Sequence, residues 1–297
     1  MIIQHNIAGI NSNRNKGIAE SRMKKNLEKL SSGYRINRAG DDAAGLAISE
    51  LMRSQIRGLN QAMKNCDDGI GMTSTGDGAL MEVHSMLERM KTLAIQSANS
   101  TYTTAARENL DFERQELLDE IDRIGESTDF DDIPLFDKVP TDDDGEPVIN
   151  RTSPPFTPPE KTETEGMSDI TLQIGHSKAE TLDVPRYYMS SSALFLNRTD
   201  FSTQKGANDS VEWIDKAIEA VSDIRADFGA AQNHMEHTYK NLDVTSENMT
   251  AAESRIRDTT MADEFTQYTK ENIFYQSSNS MAAQANATIE SVLSLLQ

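Results

Sequence analysis

The chain has 297 residues, a formal net charge of −19, 26% charged and 6% aromatic residues. A chain this acidic, with one Trp, makes a poor nucleic-acid binder, and its single cysteine, Cys66, excludes an intrachain disulfide. The length allows one to three domains.

The charge is uneven. Residues 1–40 carry eight Lys and Arg against two Glu, whereas residues 101–170 carry 20 acidic against six basic side chains. Proline maps the chain: all eight lie between Pro134 and Pro185. Proline breaks helix interiors, so two long proline-free arms flank an irregular or β middle. That is a helical hairpin plan.

Met1 to Ile10 places Gln4, His5 and Asn6 where a secretion signal needs an apolar core, so no signal peptide is read and export needs another route. A first helix runs from Gly9 to Leu30, with Ile10, Ile18, Met23, Leu27 and Leu30 among many cations. An interfacial membrane helix or an RNA-binding arm would need aromatic anchors, and Tyr34 stands alone. Ser31-Ser32-Gly33 and Ala39-Gly40-Asp41-Asp42 read as a break and an N-cap.

A second, long helix starts at Ala43. Met52, Leu59, Cys66, Thr73, Leu80, Leu87 and Ala94 form one row at seven-residue spacing; Ile56, Met63 and Ile70, then Val83 and Met90, form its neighbour. Gly69, Gly71, Gly76 and Gly78 each cost about 1 kcal/mol against Ala, yet the seam resumes in phase beyond them. Cys66 on this seam reads as a buried small apolar residue rather than a reactive thiol. After a polar break at 97–104, a third helix spans about Ala105 to Ile124, with Leu110, Leu117, Ile121 and Ile124 on one face.

From Ser127 to Met167 the chain is acidic and proline-rich and reads as an exposed loop. Asp142-Asp143-Asp144-Gly145-Glu146 lacks the alternating ligand spacing of a calcium loop. Ile170 to Ile174 alternates apolar and polar, and with a second extended run at Thr181 to Tyr187 it predicts a β-hairpin. The stretch Val211 to Gln297 carries the strongest pattern. Ile214, Val221, Phe228, Met235, Leu242, Met249 and Ile256 recur every seven residues, with small or apolar residues three positions on, from Ala217 to Thr259. This is the seam of a long helix packed along another, and its charged outer faces exclude a membrane span. The fold class is mainly α: long antiparallel helices forming a coiled-coil or bundle rod, with a small β-hairpin region at its outer end.

No catalytic, cofactor or metal constellation emerges. His234-Met235-Glu236-His237 has its histidines at i, i+3, whereas a zincin pair needs i, i+4; with Met235 on the seam, both flank it near solvent. The sequons Asn99-Ser100-Thr101 and Asn150-Arg151-Thr152 are common by chance. Ala283 to Gln297 has no Lys or Arg and ends in Val292-Leu293-Ser294-Leu295-Leu296-Gln297. Such an apolar end needs a cover, from the chain's own first helix or from neighbouring copies.

Long stretches at both ends resemble bacterial flagellin. They include Leu30-Ser31-Ser32-Gly33-Tyr34-Arg35-Ile36-Asn37, Asp41-Asp42-Ala43-Ala44-Gly45-Leu46-Ala47-Ile48-Ser49 and Gln55-Ile56-Arg57-Gly58-Leu59. In the second arm they include Phe228-Gly229-Ala230, Ala251-Ala252-Glu253-Ser254-Arg255-Ile256-Arg257-Asp258 and Gln284-Ala285-Asn286. The resemblance covers about residues 1–137 and 170–297 and leaves 138–169 unmatched.

The resemblance implies three regions: an inner helical domain of 1–44 plus 258–297, a helical-bundle and hairpin domain of 45–137 plus 170–257, and a short variable outer loop at 138–169. It implies a structural subunit that polymerises with itself into the extracellular flagellar filament for motility after flagellar type III export, with no cofactor. An export chaperone on the C-terminal helix and hook-junction and cap proteins are the implied bacterial partners. It also maps a surface Toll-like receptor patch onto Arg89, Leu93 and Glu113, with Arg89 and Leu93 on one helix face, and an inflammasome-sensor segment onto Val292, Leu293, Leu295 and Leu296. A hook–filament junction protein, a signalling helical hairpin and, least, an enzyme remain the alternatives.

Overall fold

The computed structural model describes residues 6–137 and 169–295, and side chains as far as 291. Five α-helices dominate the described residues. α1 (Ile7–Ser32) opens where the Asn6 side chain accepts from the Gly9 N–H at 2.8 Å, and closes at Gly33. Gly33 has φ +75° and donates its N–H to Lys29 O, a left-handed cap that an L side chain would strain. α2 (Ala43–Ala98) begins at Asp42, whose carboxylate accepts from the Gly45 N–H. α3 (Thr104–Ser127) is capped in the same way by Thr103.

A cluster of short strands follows. β1 (Asp129–Phe130) and β2 (Ile133–Pro134) pair antiparallel, Phe130 opposite Ile133. Their two-residue turn, Asp131-Asp132, takes φ +53° and +62°, the backbone of a type I′ hairpin. β3 (Phe136–Asp137) pairs parallel with β6 (Tyr187–Tyr188). β4 (Ile170–Gln173) and β5 (Thr181–Val184) form the expected hairpin, with Ile170 opposite Val184 and Gln173 opposite Thr181. The first hairpin and the parallel pair were not expected from sequence: each strand is two residues long, too short to alternate.

The final arm is two helices, α4 (Gln204–Arg257) and α5 (Met261–Leu295). The single long helix expected from the seam is thus interrupted at 258–260. There the Thr259 N–H leaves the helical ladder to donate to Gly33 O, and Tyr34 bridges Asp258. The exposed loop expected from Ser127 is corrected over its first residues, which pair as β1 to β3 with Leu135 and Phe136 buried; the rest of it, with the calcium-like run and the second sequon, lies outside the described residues.

The chain divides into two compact units, residues 1–57 with 246–297, and residues 58–245. In the second, the buried core joins Leu80, Leu87 and Met90 of α2, Ile121 of α3 and Ile214, Val221 and Phe228 of α4. Of the seam read from sequence, Leu59, Cys66, Leu80, Leu87, Ile214, Val221, Phe228 and Met235 are buried; Met52, Leu242, Met249 and Ile256 are half-buried. The Cys66 thiol is free, and its burial pushes its pKa up, so it resists ionisation.

Candidate assembly surfaces and receptor patch

In the first unit α1 packs along α5. Polar latches line the pair. Asn6 donates to Asn286 Oδ1 at 3.0 Å and Lys16 to Asn279 Oδ1 at 3.0 Å; Arg22 meets Glu271 and Lys29 meets Glu264, each at 3.6 Å. The basic first helix thus finds its carboxylates on α5. Two helices bury little, however: Ala19 is the buried apolar residue of α1. Ile7, Ile10, Ile18 and Leu27 of α1 and Phe265, Ile273, Phe274 and Met281 of α5 stay exposed, Ile273 by 62%. Phe265, Thr269, Ile273 and Phe274 line a shallow, mainly apolar groove. Val292, Leu293 and Leu295 belong to the last turns of α5; their side chains, and Leu296, lie outside the described residues.

Where the arms of this unit break, they are tied together. Arg35 N donates to Arg257 O at 2.6 Å and Thr259 N to Gly33 O at 3.0 Å. Tyr34 lies between two guanidinium groups, Arg257 4.8 Å and Arg53 5.5 Å from its ring centre, and Arg53 also donates to its hydroxyl. Glu50 accepts from Arg257 at 2.7 Å, and Arg53 reaches Glu253 at 3.0 Å. The hydrogen bond from Arg257 holds the Glu50 carboxyl below the usual range. Sequence reading missed this clasp, because its members are scattered over 34, 50, 53, 253 and 257 and follow no period.

In the second unit the three receptor-patch residues do not share one surface. Arg89 is exposed and Glu113 half-buried, and the two are joined, Arg89 Nε donating at 2.8 Å and Nη2 at 2.6 Å. Leu93 is 0% exposed. On a helix it sits about 40° from Arg89 and about 60° from Met90, and Met90 is also buried. The edge of the core therefore runs between Arg89 and Leu93, and the expected common face is corrected. Phe112, the residue before Glu113 in α3, is 69% exposed. Lys91 pairs with Asp215 at 2.6 Å, and Thr92 bonds back to Glu88 O.

The antiparallel α2–α4 contact uses the glycines of α2. A Cβ on Gly76 would lie 2.6 Å from Phe228 Cε2, and one on Gly69 2.6 Å from Met235 Sδ. Both are holes that receive seam side chains. At the strand cluster Phe136 and Tyr187 pack on Phe228 at 6.5 and 6.2 Å between ring centres. The Tyr187 hydroxyl donates to Asp227, and burial pushes its pKa well above the ordinary tyrosine value.

His234 and His237 are exposed while Met235 between them is buried. Among the described residues no His, Cys, Asp and Glu group could hold a metal, and no helix is long and apolar enough to cross a membrane.

Comparison with known proteins assigns the chain. Residues 3–141 match the bacterial flagellin N-terminal helical region and residues 211–296 the C-terminal helical region. The flagellin of Halalkalibacterium halodurans is 44% identical over the whole of both chains, and that of Bacillus subtilis 41% identical over the whole of both. The crystal structure of Bacillus cereus flagellin aligns with 64% of this chain and 94% of that one at 26% identity and a TM-score of 0.47. The chain belongs to the bacterial flagellin family and is a structural filament protein, not an enzyme.

Proposed function

We propose that copies of this chain stack through the first unit, residues 1–44 and 258–297 lying innermost, to build an extracellular flagellar filament. The observation that carries this reading is the exposed apolar side of α1 and α5, which a two-helix pair cannot cover by itself. Copies related by a non-closing rotation cover it and extend without limit. The same surface on α5 suits an export chaperone before assembly, and the subunit would leave the cell by the flagellar type III route and meet hook-junction and cap proteins at the filament ends. Electron microscopy of purified protein, before and after a heat–cool cycle with added seeds, tests the proposal. Long uniform filaments are expected; persistent monomer with ordered termini overturns it.

We also infer a host-receptor role, supported by the half-exposed Arg89–Glu113 pair and by exposed Phe112, which precedes Glu113 in α3. Exposed aromatic and Arg residues are favoured anchors of protein interfaces. In a receptor reporter assay Arg89→Ala and Phe112→Ala are expected to weaken signalling while leaving the fold intact. Full signalling by the double variant removes this surface from consideration. The cytosolic-sensor role of Val292, Leu293, Leu295 and Leu296 is a separate proposal, tested by replacing the four with Ser in a sensor reporter assay; unchanged signalling rejects it.

A further inference from the structure

Five glycines of α2 and α4 in the second unit fall into two kinds. Gly69 and Gly76 are required, because a Cβ at either would collide with Met235 or Phe228. Gly78 of α2 and Gly229 of α4 have nothing within 4 Å of a built Cβ, and Gly71 would make only ordinary contact, 3.7 Å, with Phe130. Among the described residues positive φ at glycine occurs at Gly33, so these three need no left-handed backbone. Each could be alanine without steric cost, and each weakens its helix about fivefold relative to alanine.

These three glycines lie at one level. Gly76 receives Phe228, the residue before Gly229, and Gly71 and Gly78 lie within about 8 Å of Gly76 along the helix axis. Side-chain hydroxyls add to the weakness at the same place. Thr73 bonds back to Gly69 O at 3.1 Å and Thr75 to Gly71 O at 2.9 Å. Such bonds slightly destabilise and bend helices. The pair is nevertheless held in register here, by Phe228 in its glycine hole and by Arg225, which donates to Asp77 at 2.7 Å. Two long helices thus carry backbone weakness and side-chain registration together.

We infer that the Gly71–Gly78 segment of α2 and the facing 226–233 segment of α4 form a compliant joint, a level at which the helix pair bends without losing register. The monomer property stands alone; its consequence, that the joint absorbs strain in a curved polymer, rests on the filament role. A curved tube has a longer outer and a shorter inner side, so its subunits must deform unequally.

Native-state hydrogen exchange on the full chain tests the joint, with the variant Gly71→Ala/Gly78→Ala/Gly229→Ala as comparison. Amides 72–80 and 225–232 are expected to exchange at least tenfold faster than those at 84–94 and 214–221. In the variant, exchange is expected to slow about 25-fold in the α2 segment and about fivefold in α4, and variant filaments are expected to fluctuate less, with a longer persistence length. Equal wild-type protection at the joint and its flanks overturns the proposal, as do variant filaments of unchanged stiffness. A well-folded variant that fails to add to wild-type seeds also overturns it, because the glycines then seat a neighbouring copy. Failure of the wild-type chain to polymerise would instead count against the filament role.

Discussion

Phe228 of α4 fills the space that a side chain on Gly76 of α2 would need, 2.6 Å from where that Cβ would lie. The ring also contacts Phe136 and Tyr187, so one side chain joins the helix pair to the strand cluster. Gly76→Ala is expected to cost about 1–3 kcal/mol through overpacking, although alanine is the better helix former. Phe228→Ala is expected to cost about 3–5 kcal/mol. Urea unfolding followed by the fluorescence of Trp213, the single tryptophan of the chain, measures both. A stabilised Gly76→Ala would mean that Phe228 does not occupy this hole.

Much of the fold could be read from the sequence because long helices repeat their pattern. The row from Leu59 to Leu87 and the row from Ile214 to Met235 are buried where the seven-residue spacing placed them. The break at 258–260 escaped notice because Thr259 continues the small-residue row on which the helix would have run, yet its N–H is bonded to Gly33 O. Gly69 and Gly76 were legible only as penalties, since a hole is defined by the partner helix. Leu93 shows the same limit: four-residue spacing places it near Arg89, but tertiary packing on the Met90 side decides which of the two is covered.

The Asp131-Asp132 turn holds two aspartates at positive φ, where glycine and asparagine are favoured. Asp132→Gly is expected to stabilise the second unit by about 0.5–1 kcal/mol at neutral pH, by relieving local strain. Asp131→Asn together with Asp132→Gly should add slightly more. Thermal unfolding of both variants against the parent is the check; a lowered Tm would indicate that the carboxylates serve a contact worth more than the strain.

Arg89 and Leu93 should behave as different kinds of residue. The Arg89–Glu113 pair is half-exposed on both sides, so Arg89→Ala is expected to change stability by less than about 1 kcal/mol. Leu93→Ala removes a fully buried side chain and is expected to cost about 2–5 kcal/mol. Any loss of receptor signalling with Leu93→Ala is therefore expected to track unfolding, whereas a loss with Arg89→Ala should appear in fully folded protein. Denaturation curves alongside the reporter assay separate the two. A Leu93→Ala protein of parental stability would show that this side chain is not packed in the core.

The clasp around Tyr34 should open in acid. Glu50 accepts from Arg257, and that hydrogen bond lowers its folded-state pKa. A carboxyl with a depressed folded pKa contributes stability that is fully present above its unfolded value, about 4.3, and is lost as pH falls through the lower folded value. Protonation frees Arg257, which stacks on Tyr34 and whose carbonyl accepts the Arg35 N–H. The ring resonances of Tyr34 are expected to titrate with a midpoint below the ordinary glutamate range, and Glu50→Gln should remove that titration. Tyr34→Phe keeps both cations over the ring and loses only the hydroxyl bond from Arg53, at a cost of about 0.5–1.5 kcal/mol, whereas Tyr34→Ala should unlock the tie between residues 33–35 and 257–259. A titration midpoint at or above the ordinary glutamate value, or one unchanged in Glu50→Gln, would rule out Glu50 as the group that holds the clasp shut.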